Sequence, residues 1–175
     1  MAAVSIFKLI PADVLPLQNL ARTTFIESFA EQNSPEQLAE YLNRAFSEAQ
    51  LLQELQTPSS WFYGLRWGDE MVGYLKINAS GAQSDLQMPN SLEIERIYLL
   101  QQAQGKGFGR LLLNTAIQQA RLKGCERIWL GVWEHNTAAI AFYEHMGFRK
   151  FDEHVFTLGN EDQCDWLMAM ELNHE

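Results

Sequence analysis

The sequence predicts an α/β (α+β) fold, a mixed sheet with helices on its faces, and three observations carry that prediction. Runs rich in β-branched and aromatic residues alternate along the chain with runs whose apolar residues recur at near-3.6 spacing. A glycine-rich stretch, Gln104-Gly105-Lys106-Gly107-Phe108-Gly109-Arg110, stands between one strand-like run and one helix-like run. The apolar run Arg127–Trp133 has the length of a strand and polar flanks, as expected of a strand covered on both faces near the centre of a sheet. With 175 residues, 47% of them hydrophobic, the chain is sized for one domain spanning 1–175 with a substantial core. No repeat, linker or low-complexity tract divides it.

Taken in order, residues 4–10 form a β-like run ended by Pro11. Ala12-Asp13 then open a helix carried by Val14, Leu17, Leu20, Ala21, Phe25 and Phe29. Ser34-Pro35-Glu36-Gln37 combines a serine cap, proline at the first helical position and glutamine three residues after the cap. Ser47-Glu48-Ala49-Gln50 repeats the cap-to-glutamine spacing, so two short helices are expected near 35–45 and 48–56, before Thr57-Pro58. Glu36, Glu40, Glu48 and Glu54 on these helices read as a solvated face, with anionic contacts to a substrate as the alternative.

Residues 61–67 and 71–78 are strand candidates joined by a Gly68-Asp69-Glu70 hairpin turn. Residues 79–90, polar and holding Gly81 and Pro89, read as a loop. Residues 91–100 return to a strand, with Glu93, Glu95, Ile97 and Leu99 on one parity. The glycine stretch leads into a helix over 108–123 that Gly124 ends. Asn136 caps a further helix carried by Ala138, Ala139, Ile140, Phe142, Tyr143 and Met146, with Gly147 as its stop. Two strands, 148–157 and 165–172, close the chain around a Gly159-Asn160-Glu161-Asp162 turn.

Composition narrows the function. The net charge of −9, spread along the chain, opposes nucleic acid as a main partner and is compatible with a cationic substrate. No apolar run approaches the ~20 residues of a membrane span, and the start lacks the basic residues and long apolar core of a signal peptide. A cytoplasmic protein without membrane partners is therefore the expectation. Cys125 and Cys164 lie far apart and read as small core residues, and Trp61, Trp67, Trp129, Trp133 and Trp166 read as core and not as a recognition surface. His135, His145, His154 and His174 are scattered, and no metal site is implied.

The glycine stretch itself reads as an anion-binding loop. Glycines at alternate positions let backbone N–H groups converge and a ligand approach closely, and the following helix start adds unpaired N–H groups and its positive dipole end. Lys106 and Arg110 add formal charge. A Walker loop is a poor fit because Gly107, not Ser or Thr, follows Lys106; a dinucleotide fingerprint is a poor fit because the third glycine arrives one residue early.

Gln104, Gly107 and Gly109 match instead the pyrophosphate loop of the GNAT N-acetyltransferases, with its pattern of Arg or Gln, two residues, Gly, one residue, Gly or Ala. The order of elements is also similar to that family's. Trp129-Leu130-Gly131-Val132-Trp133-Glu134-His135-Asn136, Ala139-Ile140-Ala141-Phe142-Tyr143 and Met146-Gly147-Phe148 resemble its later cofactor motif. Glu31-Gln32-Asn33-Ser34-Pro35-Glu36 and Ser91-Leu92-Glu93-Ile94-Glu95-Arg96-Ile97-Tyr98 look like the PaiA group of spermidine/spermine acetyltransferases within it.

That resemblance implies a GNAT fold: a twisted, mostly antiparallel sheet of about seven strands with about four or five helices, and a splayed central strand pair that binds acetyl-CoA. It implies direct acetyl transfer from acetyl-CoA to a primary amine, a polyamine such as spermidine or spermine, by a monomer or homodimer. A protein lysine, an N-terminus or another small amine is the alternative acceptor, and a non-catalytic acetyl-CoA-binding module the alternative class. By resemblance, Ile97, Tyr98 and Leu99 offer backbone groups to the pantetheine arm, with the Leu99 N–H polarising the thioester carbonyl. Gln104, Gly105, Lys106, Gly107, Phe108, Gly109 and Arg110 hold the pyrophosphate, and Asn136, Ala139 and Phe142 contact the cofactor.

Acetyl transfer also needs a deprotonated amine and a proton for the departing thiolate. An alkyl ammonium with a pKa near ~10.4 is almost wholly protonated at neutral pH, so a base is useful. Glu95 stands first for that role and Glu93 second, each by resemblance to a different branch of the family. Cation binding, or pairing with Arg96 or Arg127, is the structural alternative for both. Tyr143, at the tyrosine of the Ala-Phe-Tyr motif, is the candidate general acid.

Overall fold

The computed structural model describes residues 2–158 and 160–173. Its α-helices and strands follow as β1 (Val4–Lys8), α1 (Val14–Phe29), α2 (Pro35–Ala45), α3 (Glu48–Leu55), β2 (Ser60–Trp67), β3 (Glu70–Ala79), β4 (Ser91–Leu99), α4 (Phe108–Leu122), β5 (Arg127–Trp133), α5 (Thr137–His145), β6 (Arg149–Leu158) and β7 (Glu161–Glu171). The strands form one seven-stranded sheet in the order β1-β2-β3-β4-β5-β7-β6. The β1–β2, β5–β7 and β6–β7 pairs are antiparallel and β4–β5 is parallel, so the expected mixed, mostly antiparallel sheet is present. β5 is an interior strand as its apolar run required, but the central position belongs to β4.

Local chemistry sets the helix starts. The Ser34 hydroxyl accepts from the Gln37 N–H at 3.2 Å while Ser34 N–H donates to the Gln37 side chain at 3.5 Å, closing the capping box at α2. Ser47 accepts from the Gln50 N–H at 3.1 Å at α3. Asp13 accepts from Ile10 N–H at 2.8 Å in a 3-10 turn, which stops β1 at Lys8 instead of residue 10.

The C-terminal hairpin differs more from expectation. β7 begins at Glu161, and the polar residues assigned to a turn already pair as Leu158↔Glu161 and Thr157↔Asp162. The Thr157 hydroxyl donates to Asp162 at 2.9 Å, a cross-strand bond that holds polar residues in the ladder. Gly159, the first residue of the expected turn, lies outside the described residues. Glu70 likewise belongs to β3, so the first hairpin turns on Gly68-Asp69.

Contacts group the chain into two compact units, residues 1–77 with 96–116 and residues 78–95 with 117–175. In the first, Leu17, Leu20, Ala21 and Phe25 of α1 pack with Leu42, Phe46, Leu51, Phe62 and Tyr74. Phe25 stacks on Tyr41 with ring centres 4.5 Å apart. This unit also buries an ion cluster: Glu54 Oε1 lies 2.5 Å from Lys76 Nζ and 3.0 Å from Arg96 Nη1, and Glu54 Oε2 accepts from Gln50 at 3.3 Å. Glu36, Glu40 and Glu48 are exposed, but Glu54 is buried, belonging neither to a solvated face nor to a substrate wall.

In the second unit Ile128, Trp129, Leu130, Phe148, Leu167 and Met168 are buried, and the Trp129 indole donates to Ser91 Oγ at 3.1 Å. Trp129 alone among the five tryptophans is buried; the other four are half-buried, as is Cys164. Cys125 is buried as expected.

Candidate active site

The two glutamates singled out on β4 lie on one face of that strand, as a period of two requires. Asn78, near the end of β3, reaches both: its Nδ2 donates to Glu93 Oε1 at 2.8 Å and to Glu95 Oε1 at 3.1 Å. Ser84, from the loop after β3, adds two bonds to Glu93, from its N–H to Oε1 at 2.8 Å and from its hydroxyl to Oε2 at 2.6 Å. Glu93 is 3% exposed. Burial raises its pKa above the ordinary carboxylate value; the Ser84 and Asn78 hydrogen bonds pull it back, and the Glu95 charge raises it again. The two arginines considered as partners are engaged elsewhere in the fold, Arg96 with Glu54 at 3.0 Å and Arg127 with Glu171 at 2.5 Å.

Both glutamates line a cavity of about 300 Å³. Ser84 and Asp85 enter it from the loop, Ile94 from β4, Trp129 and Gly131 from β5, His154 and Phe156 from β6, and Asp165 and Leu167 from β7. Gln83 holds the loop in place, for its buried side chain donates to Ser91 O at 3.2 Å and Oγ at 3.0 Å and accepts from Met88 N–H at 2.7 Å. His154 Nδ1 lies 3.2 Å from Asp85 Oδ1. The Asp165 pKa is raised to about 6, chiefly by burial; His154 opposes the rise and Asp85 adds to it. Four carboxylate side chains and one histidine thus share a cavity with apolar surface from Ile94, Trp129, Phe156 and Leu167. Such a lining suits an ammonium group on an alkyl chain.

The glycine loop belongs to the first unit. Gly105 and Gly107 have φ of +74° and +84°, and a Cβ built on either meets nothing within 4 Å. Glycine is needed there for the backbone angle, and the space above both residues is open to a ligand. Gly109 lies inside α4, whose first-turn N–H groups follow the loop directly. Lys106 Nζ lies 5.3 Å from the centre of the Trp67 ring, which meets Phe108 edge-on at 5.5 Å. Gln104 Nε2 donates to Leu99 O at 3.4 Å, and Arg110 is exposed. Open backbone, a helix start and two cations fit a pyrophosphate.

The β4–β5 ladder runs from Ser91↔Arg127 to Ile94↔Leu130, although β4 continues to Leu99 and β5 to Trp133. In the second unit, the Asn136 side chain accepts from Ala139 N–H at 3.3 Å and so caps α5 as its position required. Tyr143 of α5 is 8% exposed, against Phe148 and Phe142 with ring centres 5.8 Å and 5.4 Å away. Burial pushes its phenol pKa up, so the group stays protonated across the physiological range.

The model of the acetyltransferase (GNAT) family matches residues 16–148. The chain belongs to this GNAT family. An uncharacterised N-acetyltransferase of Lactobacillus delbrueckii subsp. lactis is 40% identical over 172 residues, covering 98% of this chain and 99% of the relative. A spermine/spermidine N(1)-acetyltransferase of Bacillus subtilis is 30% identical over 87 residues, 49% of this chain and 57% of its own length. The crystal structure of a PaiA N-acetyltransferase from Thermoplasma acidophilum in complex with coenzyme A shares the fold, with a TM-score of 0.79 over 97% of this chain and 99% of that one at 24% identity. As a GNAT protein this chain is an acetyl-CoA-dependent N-acetyltransferase. Among the described residues no group of three or more His, Cys, Asp or Glu side chains is placed to hold a metal, and no helix is long and apolar enough to cross a membrane.

Of the residues marked in the GNAT sequence, Glu93 and Glu95 come together in the cavity. Asn136, Ala139, Phe142 and Tyr143 share α5 and its cap, while Ile97, Tyr98, Leu99 and residues 104–110 belong to the first unit. Asn78, Ser84, Asp85, His154 and Asp165 join the two glutamates without a sequence motif of their own. They come from a loop and from three strands distant in sequence, and no local spacing announces them.

Proposed function

We propose that the chain acts as a single N-acetyltransferase domain that acetylates a primary amine of a polyamine of the spermidine/spermine type. The observation that carries this reading is the cavity beside Glu93 and Glu95, where Asp85 and Asp165 add carboxylates and Phe156, Trp129 and Leu167 add apolar surface. A polyamine alternates ammonium groups with short methylene runs, and the lining offers a counterpart to each. The partial similarity to the spermine/spermidine N(1)-acetyltransferase of Bacillus subtilis supports the same acceptor class.

When bound, acetyl-CoA supplies the acetyl group as a thioester. The loop 104–110 and the first turn of α4 bind the pyrophosphate through backbone N–H groups, with Lys106 and Arg110 as counter-charges. Asn136, Ala139 and Phe142 contact the pantetheine side, and so do the backbone groups of Ile97, Tyr98 and Leu99. The Leu99 N–H polarises the thioester carbonyl. Glu95 removes a proton from the acceptor ammonium, directly or through water, and Glu93 holds negative charge beside it. Tyr143, kept protonated by burial, donates to the departing sulfur.

Thiol release from acetyl-CoA in the presence of spermidine, spermine, putrescine, a lysine peptide and an aminoglycoside tests the reading. Turnover selective for the polyamines is expected. Efficient transfer to the peptide alone, or none to any amine, overturns the acceptor assignment.

A further inference from the structure

Asn78 stands between the two glutamates that the chemistry needs, and no motif marks it. It is 0% exposed. A side-chain amide carries two hydrogens on one nitrogen, and here one goes to Glu93 Oε1 at 2.8 Å and the other to Glu95 Oε1 at 3.1 Å. The orientation of the amide follows from its neighbours. Ionised carboxylates only accept, so a reversed amide would set its carbonyl oxygen against two anions. A lysine or arginine at this position would bind the same oxygens but cancel charge that a cationic acceptor should meet. A neutral amide satisfies both carboxylates and leaves that charge in place.

We infer that Asn78 is a positioning residue of the acyl-transfer site: its amide holds one oxygen of each carboxylate, setting Glu95 and Glu93 side by side on the cavity wall. The inference deepens the proposed function and rests on its reading that a β4 carboxylate takes the acceptor's proton. Two carboxylates two residues apart on one strand face repel each other, and each favours protonation of the other. Glu93 already feels that repulsion in addition to its burial. Asn78 opposes it for both groups, whereas both Ser84 bonds go to Glu93. The two donors are therefore separable probes. The remaining ionisable groups on the cavity are Asp85 from the loop, His154 on β6 and Asp165 on β7, and they stay unchanged when either donor is removed.

The test uses the full chain with glutamate labelled at its carboxyl carbon, titrated by NMR as wild type, Asn78→Ala and Ser84→Ala. Glu93→Gln and Glu95→Gln assign the two resonances, and thermal melting reports that each variant is folded. Asn78→Ala is expected to raise both midpoints by about one pH unit, the effect of one lost hydrogen bond to a carboxylate. Ser84→Ala is expected to raise the Glu93 midpoint alone. In amine acetylation the acid limb of kcat/KM should move up with Asn78→Ala and stay put with Ser84→Ala, which identifies Glu95 as the proton acceptor. Unmoved midpoints of both glutamates in folded Asn78→Ala overturn the inference. Should Asn78→Ala not fold, Asn78→Ser keeps one donor and should raise one midpoint; if it raises neither, the inference fails. A wild-type chain that acetylates no amine overturns the proposed function, while the titration still decides whether Asn78 holds both carboxylates.

Discussion

On the proposed polyamine reading, Asp165 on the cavity wall meets the second ammonium while Glu95 serves the one that reacts, and Asp165→Asn separates the two. The Asp165 pKa is about 6 against an ordinary 3.8, so its carboxylate is mostly protonated at pH 5 and almost wholly ionised at pH 8. Two unit charges ~5 Å apart attract by roughly 3 kcal/mol at an effective dielectric constant of about 20. Asp165 is only partly buried, and solvent screening reduces that to about 1–2 kcal/mol, a factor of roughly 5–30 in affinity. Steady-state kinetics with spermidine and with butylamine, at pH 5.5 and pH 8, supply the assay. At pH 8 the variant should raise the spermidine KM by that factor, change butylamine by less than about twofold and leave kcat nearly alone. At pH 5.5 the spermidine effect should shrink, since most Asp165 in the wild type is then neutral. The same shift carries a stability sign. The folded pKa lies above the unfolded value, so the stabilisation is fully present below about pH 4 and lost as pH rises through about 6. Asp165→Asn should therefore melt above wild type at pH 8 without amine, the gap closing toward pH 4. An equal KM change for both amines, or none for spermidine at pH 8, would refute the assignment of Asp165 to the second ammonium.

Tyr143→Phe should lower kcat by about 10²–10⁴-fold while acetyl-CoA affinity, read by calorimetry, stays within about threefold; unchanged kcat removes Tyr143 from the chemical step. Gly107→Ala forces a side chain onto a φ of +84°, so it should cost about 1–2 kcal/mol and raise the acetyl-CoA KM at least severalfold; equal KM values would show that the loop angle does not matter to the cosubstrate. Glu54→Gln leaves Lys76 and Arg96 around a neutral group in a buried cluster, and a loss of about 3–5 kcal/mol is expected, which lowers Tm by about 10 °C. A drop of under about 2 °C would show that the cluster contributes little net stability.

What the sequence made legible is local. Serine caps with glutamine three residues on placed α2 and α3, and the parity of 91–99 put Glu93 and Glu95 on one face before any contact was known. Positive φ at Gly105 and Gly107 was implicit in the glycine spacing. What was not legible is made by long-range pairing. Residues 79–90 read as a bare polar loop because the bonds from Gln83 to Ser91 and Met88, which deliver Ser84 and Asp85 to the cavity, leave no periodic trace. His154 looked like one of several scattered histidines until the β6–β7 register set it opposite Asp165. Glu54 sits on a helix among exposed glutamates, and only the arrival of Lys76 and Arg96 makes its burial tolerable. Lys106 stands in the loop as a charge for phosphate and also covers the Trp67 ring, a contact no spacing rule predicts.

The most direct test of the account is a single-turnover reaction in which protein loaded with acetyl-CoA is mixed rapidly with saturating spermidine and acetylspermidine is followed by mass spectrometry. One acetyl group per wild-type molecule should be transferred, with a transfer rate at least about 100-fold lower in Glu95→Gln at unchanged acetyl-CoA affinity. No transfer by the wild type, or Glu95→Gln transferring at the wild-type rate, would contradict it.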